Sequence, residues 1–148
     1  MPSTPTEALL DVNVLIASIF ADHVAHARAR SFVESLARFA TTPTVQGGFL
    51  RFATRPWKDA QKQEQPARLT MSGAMEKLRE VVASTNHVFL ADALPFTDLG
   101  LRSMQGHRQW TDAYLLHCAR HHGLAFASLE SRMSNLDNPQ EPVLFVLA

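Results

Sequence analysis

Ala8-Leu9-Leu10-Asp11-Val12-Asn13-Val14-Leu15-Ile16-Ala17 is the stretch on which the fold turns. The short apolar run Ala8 to Leu10 reads as a buried strand that delivers Asp11 at its carboxyl end. Immediately afterwards Val14, Leu15, Ala17 and Ile19 take up helical spacing, so a helix follows the strand with an acid at the junction. From Val24 to Ala40 apolar residues recur every three or four positions with Arg28, Glu34 and Arg38 between them, which predicts an amphipathic helix. Thr41 to Val45 predicts a second short strand that leads into a helix from Gln46 to about Ala53.

The second half repeats the alternation. Arg55 to Leu69, polar and punctuated by Pro56 and Pro66, reads as a connecting segment. Thr70 or Ser72 can cap the next helix, whose apolar face carries Met75, Leu78, Val81 and Val82. His87 to Leu90 predicts a strand, Thr97 to Met104 a helix, and Gly106 a turn. Thr111 to His121 predicts a helix stopped by Gly123. Leu124 to Ser128 and Val143 to Leu147 supply the last strands. Strands alternating with helices give an α/β sandwich: three layers, with a mostly parallel sheet of about five strands flanked by helices.

The 148 residues fit one domain over 1–148. Fourteen basic residues balance fourteen acidic ones, which argues against coating nucleic acid or a membrane surface by bulk charge. The single cysteine, Cys118, can form neither an internal disulfide nor a cysteine zinc cage, and it reads as buried filler in a reducing cytoplasm. There is no apolar run of membrane-spanning length, and the N-terminus lacks the charged start and apolar core of a secretion signal.

Open parallel sheets bind ligands outside the carboxyl ends of their strands. Asp11, Gln46 and Glu130 fall there, and Asp112, at the start of the helix before Leu124 to Ser128, can face the same edge. Crowded carboxylates repel unless a cation lies between them, and oxygen-only ligands suit Mg²⁺ or Mn²⁺. Such an ion neutralises phosphate charge and activates a water, as phosphodiester hydrolysis requires. The competing reading is structural: Asp11 and Asp112 as helix caps, Glu130 as a solvated side chain. His117, His121 and His122 read as surface or packing residues, for want of a third matching zinc ligand. Trp57 and Trp110 either stack on bases or are buried.

Four blocks carry a resemblance: Leu10-Asp11-Val12-Asn13-Val14-Leu15, Gly48-Phe49-Leu50-Arg51, Gly106-His107-Arg108-Gln109-Trp110-Thr111-Asp112-Ala113-Tyr114-Leu115-Leu116, and Ala127-Ser128-Leu129-Glu130. Together they resemble the PIN-domain nucleases, and within them the VapC toxins of bacterial toxin–antitoxin pairs, from about residue 8 to residue 147. The resemblance implies that Asp11 and Asp112 bind the catalytic Mg²⁺ directly, with Glu130 as the fourth acidic position of the site. It implies that Asn13 braces the loop carrying Asp11 and that Thr111 is the hydroxyl residue beside Asp112, and both count with Arg51, His107 and Arg108 as candidate substrate-binding residues. His107 and Arg108, at the mouth of the site, are candidates to meet a phosphate, and Arg51 to pair with a site carboxylate or with an antitoxin. The departure is Gln46, where the family carries a glutamate. Glutamine keeps an acceptor oxygen but loses the charge, which favours one metal ion with Gln46 steering a water.

The expectation is therefore a Mg²⁺-dependent endoribonuclease, with Mn²⁺ as the alternative ion, that cuts structured RNA such as tRNA or rRNA. A homodimer and a cognate antitoxin covering the site are implied with it. Substrate grip by a neutral chain requires basic residues such as Arg51, Arg55, Lys58, Lys62 and Arg108 to gather near the cleft. Two alternatives stand beside this. One is a degenerate PIN domain that binds RNA or a protein partner without cutting. The other is a phosphohydrolase of the haloacid-dehalogenase type, which wants a second aspartate where Asn13 stands and a lysine near a late strand, where none of the three lysines lies.

Overall fold

The structure, a computed structural model, describes residues 3–100 and 104–148. Along the chain come β1 (Glu7–Leu10), α1 (Val12–Ile19), α2 (His26–Ser35), β2 (Arg38–Thr41), α3 (Pro43–Thr54), β3 (Trp57–Lys58) and β4 (Glu64–Gln65). These are followed by α4 (Met71–Val82), β5 (His87–Phe89), α5 (Trp110–His121), β6 (Ala125–Ser128) and β7 (Leu144–Val146). Five strands form one sheet in the order β5-β2-β1-β6-β7, every neighbouring pair parallel.

Strand side chains alternate between two faces, and here both faces are covered. Leu9, Ala40 and Phe126 point into a core with Val45 and Phe49 of α3, Ala74 and Leu78 of α4, and Leu115 and Ala119 of α5. Ala8, Leu10, Phe39 and Ala127 point the other way, onto Ala29 and Phe32 of α2. The α1 helix serves both cores, Leu15 and Ile16 one and Val14 and Ala17 the other. Cys118 is buried, as expected for filler.

Three sequence expectations are corrected. The helix expected from Val24 to Ala40 ends at Ser35, and Arg38–Thr41 is a strand. Leu36 continues the spacing set by Ala29 and Phe32 and so imitates another helical turn. The backbone instead leaves for the sheet, with the Ala37 N–H donating to the Thr6 carbonyl at 2.8 Å. The strand expected at Thr41 to Val45 is therefore displaced, and Pro43 opens α3 in the first turn, where its missing N–H costs nothing. Thr42 caps that helix through its hydroxyl, which accepts from the Val45 N–H. Of the helix expected at Thr97 to Met104, only a 3₁₀ turn at Phe96–Asp98 is found, and residues 101–103 lie outside the described residues.

The connecting segment Arg55 to Leu69 holds the small antiparallel ribbon of β3 and β4. Asp59 closes its turn, Oδ1 accepting from the Gln61 and Gln63 N–H groups at 2.9 Å each. The Arg68 guanidinium lies 4.3 Å from the ring centroids of both Phe52 and Trp57. Stacking of this kind holds the ribbon against α3, and it commits Trp57 to packing.

The approach of α3 to α1 is set by one glycine. A Cβ on Gly48 would stand 2.7 Å from Val12 Cγ2, while one on Gly47 would meet nothing within 4 Å. Both substitutions raise helix propensity alike, so their difference isolates the packing. Gly47→Ala is expected to stabilise by about 0.5 kcal/mol and Gly48→Ala to destabilise by about 2 kcal/mol in denaturant unfolding.

Candidate functional site

Because all five strands run parallel, their carboxyl ends lie along one edge. Asp11 follows β1, Gln46 sits in the early part of α3 after β2, Glu130 follows β6, and Asp112 lies in the first turn of α5.

Asp11 is both a helix cap and a site carboxylate. Oδ1 accepts from the Val12 N–H at 2.7 Å and Oδ2 from the Ser128 hydroxyl at 2.7 Å, with only 7% of the residue exposed. Burial pushes its pKa above the ordinary carboxylate value. The two hydrogen bonds oppose that rise, and repulsion from Glu130 adds to it.

Ser128, fully buried at the end of β6, is the hub of the site. Its hydroxyl donates to Asp11 and accepts from Asn13 Nδ2 at 3.2 Å and from the Glu130 N–H at 3.0 Å. Asn13 completes the brace with Oδ1, which accepts from the Leu129 N–H at 3.1 Å. Both ends of the Asn13 amide are thus engaged by the turn after β6, and its work in this structure is bracing. Sequence reading passed over Ser128 as the frame of the Glu130 motif. A small hydroxyl residue ending a buried strand, two positions before an acid, was the available signal.

Asp112 accepts no hydrogen bond and pairs with no cation among the described residues, so it is not the cap of α5. Its pKa is raised to about 6, first by burial and then by the charges of Asp11 and Glu130. Glu130 is differently placed. Arg132 grips it with Nε to Oε1 at 3.0 Å and Nη2 to Oε2 at 3.1 Å, while the Arg132 N–H donates to Oε1 at 2.8 Å. These bonds hold the Glu130 pKa below its ordinary value. Among the described residues no three His, Cys, Asp or Glu side chains converge as a ready metal cage. The donors available to a cation are the Asp11–Asp112 pair, with Glu130 close enough to be felt by both.

That donor set fits Mg²⁺ or Mn²⁺, which take hard oxygen ligands and are held through one or two carboxylates plus substrate phosphates. Two repelling carboxylates, neither paired with a basic side chain among the described residues, are the arrangement a divalent ion relieves.

The remaining candidates divide. His107 and Arg108 form a 3₁₀ turn, His107–Gln109, directly ahead of α5, and both are exposed, as is Thr111. Trp110 beside them is 44% exposed. Arg51 is exposed on α3, and five residues of helix rotate it by about 140° from Gln46. It forms no ion pair among the described residues. Arg55 lies over the Phe52 ring at 5.7 Å, and Lys58 and Lys62 belong to the ribbon and its turn, so Arg108 is the basic residue that adjoins Asp112 in the chain. His121 and His122 stand edge to face, 5.1 Å between centroids, and are exposed.

Residues 8–139 match the PIN domain, and the chain belongs to that family. Within it the similarity is to VapC proteins. The chain is 38% identical over 129 residues to Ribonuclease VapC29 of Mycobacterium tuberculosis, covering 86% of this chain and 89% of that one. It is 34% identical over 140 residues to Ribonuclease VapC38 of the same organism, covering 92% and 95%. The fold matches a chain in the crystal structure of VapBC2 from Rickettsia felis bound to a DNA fragment from their promoter. That match has a TM-score of 0.61 at 9% identity and covers 96% of this chain and 99% of that one. No helix among the described residues is long and apolar enough to cross a membrane.

Proposed function

We propose that this chain is a single PIN domain, residues 1–148, that acts as a Mg²⁺-dependent endoribonuclease of the VapC toxin type, with Mn²⁺ as the alternative ion. The observation that carries the reading is the Asp11–Asp112 pair at the carboxyl edge of the sheet, one carboxylate locked by Ser128 and the other raised to about 6 with no partner among the described residues. The two relatives named as ribonucleases, each matched over most of both chains, support RNA as the substrate.

Asp11 and Asp112 would hold the divalent ion, which would supply positive charge against the scissile phosphate and acidify a water. Ser128 and the Val12 N–H hold Asp11 so that its carboxylate does not swing when substrate enters. Asp112, in the first turn of α5 and without another partner among the described residues, would supply the second carboxylate to the ion. Gln46 presents an amide that orients a water without adding charge. Arg108 and His107, exposed on the turn before α5, meet neighbouring phosphates, and Trp110 offers a ring to an unstacked base. Structured RNA such as tRNA or rRNA, a homodimer in the cytoplasm, and a cognate antitoxin that covers the site complete the proposal. The Rickettsia felis neighbour is named as a VapBC2 assembly, which supports the antitoxin.

A second reading, a PIN domain that binds without cutting, is favoured by one observation: residue 46 is uncharged and its amide nitrogen is tied to Thr41. Purified protein incubated with total tRNA and rRNA in Mg²⁺ separates the two. Discrete cuts that vanish with EDTA are expected. Absence of cutting by the native chain, with cutting gained by Gln46→Glu, establishes the second reading.

A further inference from the structure

Gln46 stands where the VapC resemblance expects a glutamate, and the behaviour of its side chain is set by residues on two other elements. Its Nε2 lies 3.0 Å from Thr41 Oγ1, and Thr41 Oγ1 lies 2.7 Å from His87 Nε2. Thr41 ends β2 and His87 opens β5, neighbours in the sheet. Thr41 is fully buried, so its one proton and its lone pairs have no water to turn to.

The direction of every bond in this row follows from the glutamine end. The Gln46 amide nitrogen can only donate, so Thr41 Oγ1 accepts from it. The hydroxyl proton of Thr41 then points to the His87 ring, which leaves Nε2 as the bare, accepting nitrogen of the neutral imidazole. Burial keeps the ring neutral by lowering its pKa. The charged groups on the elements packed against β5, Arg38 on β2 and Glu76, Lys77, Arg79 and Glu80 on α4, contribute nothing to that shift.

We infer that Thr41 and His87 are positioning residues for Gln46: the row His87–Thr41–Gln46 turns the amide nitrogen inward and leaves Oε1 as the end available at the carboxyl edge of the sheet. The inference rests on the nuclease reading for its consequence, which is that an oriented acceptor, and not a charge, faces the water beside Asp11 and Asp112. It follows that glutamate would not make the same contacts in place of Gln46 in this chain. An ionised glutamate has no proton for Thr41, so the hydroxyl would turn toward it, and His87 would have to supply a proton from Nε2.

Nitrogen-15 NMR of histidine-labelled full-length protein reads this directly. In the native chain His87 Nε2 is expected to show the shift of an unprotonated nitrogen at about pH 7. Gln46→Glu is expected to place a proton on Nε2 and to raise the His87 pKa by about one pH unit. In a Thr41→Val background the same substitution is expected to leave His87 unmoved. A protonated Nε2 in the native chain, or a His87 signal indifferent to Gln46→Glu, overturns the inference. Because these signals are independent of cleavage, a protein that cuts no RNA refutes the nuclease reading and leaves the row intact. Where RNA is cut, Thr41→Val and His87→Phe are expected to lower kcat about tenfold with KM little changed, and Thr41→Ser to restore it. Equal loss in Thr41→Ser and Thr41→Val reduces the row to packing.

Discussion

Replacing Asp112 with Asn is expected to abolish RNA cleavage while making the metal-free protein more stable. Asn is nearly isosteric, so the first turn of α5 is kept and one negative charge is lost. Removing a group that only supports a ligand costs about 10–100-fold, and loss of a proposed ligand itself should exceed that, to below detection in a gel assay. The stability change runs opposite. The Asp112 carboxyl titrates at about 6 in the fold against an ordinary 3.8. Below about pH 3.8 it is protonated folded and unfolded, and it costs nothing. As pH rises, the unfolded chain gives up the proton first, so stability is lost progressively until the folded group ionises near 6. Above that the penalty is complete, and Asn removes it. Allowing for water reaching this half-buried group, the gain is about 1 kcal/mol at neutral pH. Thermal unfolding of the two proteins in EDTA should coincide near pH 4 and diverge by pH 7. Added Mg²⁺ should then raise the native midpoint, by mass action on the folded state, and leave Asp112→Asn unmoved. A variant less stable than the native chain at neutral pH in EDTA would mean that Asp112 already has a partner.

Ser128→Ala is the other large effect. It removes one buried oxygen and strands three groups: Asp11 Oδ2 loses its donor, and Asn13 Nδ2 and the Glu130 N–H lose their acceptor. A hydrogen bond to a charged group contributes about 1.5–3 kcal/mol and a stranded buried group costs about as much, so a loss of about 3 kcal/mol in chemical denaturation is expected. Asp11 gives the loss a pH signature. Its carboxyl is already raised by burial, and the Ser128 bond is the largest influence holding it down. Without that bond the deficit grows as pH rises from the acid range toward neutral. Cleavage should fall about 10–100-fold, as for other groups that orient a metal ligand. Ser128→Thr keeps the hydroxyl and should retain most of the activity. If Ala and Thr behave alike, the hydroxyl is not what holds Asp11.

The edge position of the two aspartates was legible in the sequence, though spacing left helix capping as a rival and the four-block resemblance singled them out. An acid that ends a buried apolar run has to emerge at a sheet edge, and one in the first turn of the helix before a late strand emerges at the same edge. The stop at Gly123 was legible for a similar reason, since its φ of +67° is a conformation that suits glycine. The start of β2 was hidden because Leu36 fits both periods, helical from Ala29 and Phe32 and alternating toward Phe39. The grip of Arg132 on Glu130 is decided by the path of a turn that no spacing rule encodes. The hub at Ser128 was the least visible. Its hydroxyl has meaning only through Asp11 and Asn13, which lie 117 and 115 residues away.

That separation also orders events in time. Protein synthesis runs from the amino end, and domains acquire structure as their parts leave the ribosome. Asp11 is made 117 residues before the hydroxyl that locks it. That hydroxyl rides on β6, which pairs with β1 and only afterwards with the later strand β7. Until then the nascent chain carries an aspartate with nothing to lock it and a sheet made only of β5, β2 and β1. A growing polypeptide on a translating ribosome is therefore surrounded by RNA throughout the period when it cannot yet assemble the edge proposed to cut RNA. Competence waits until β6 docks beside β1.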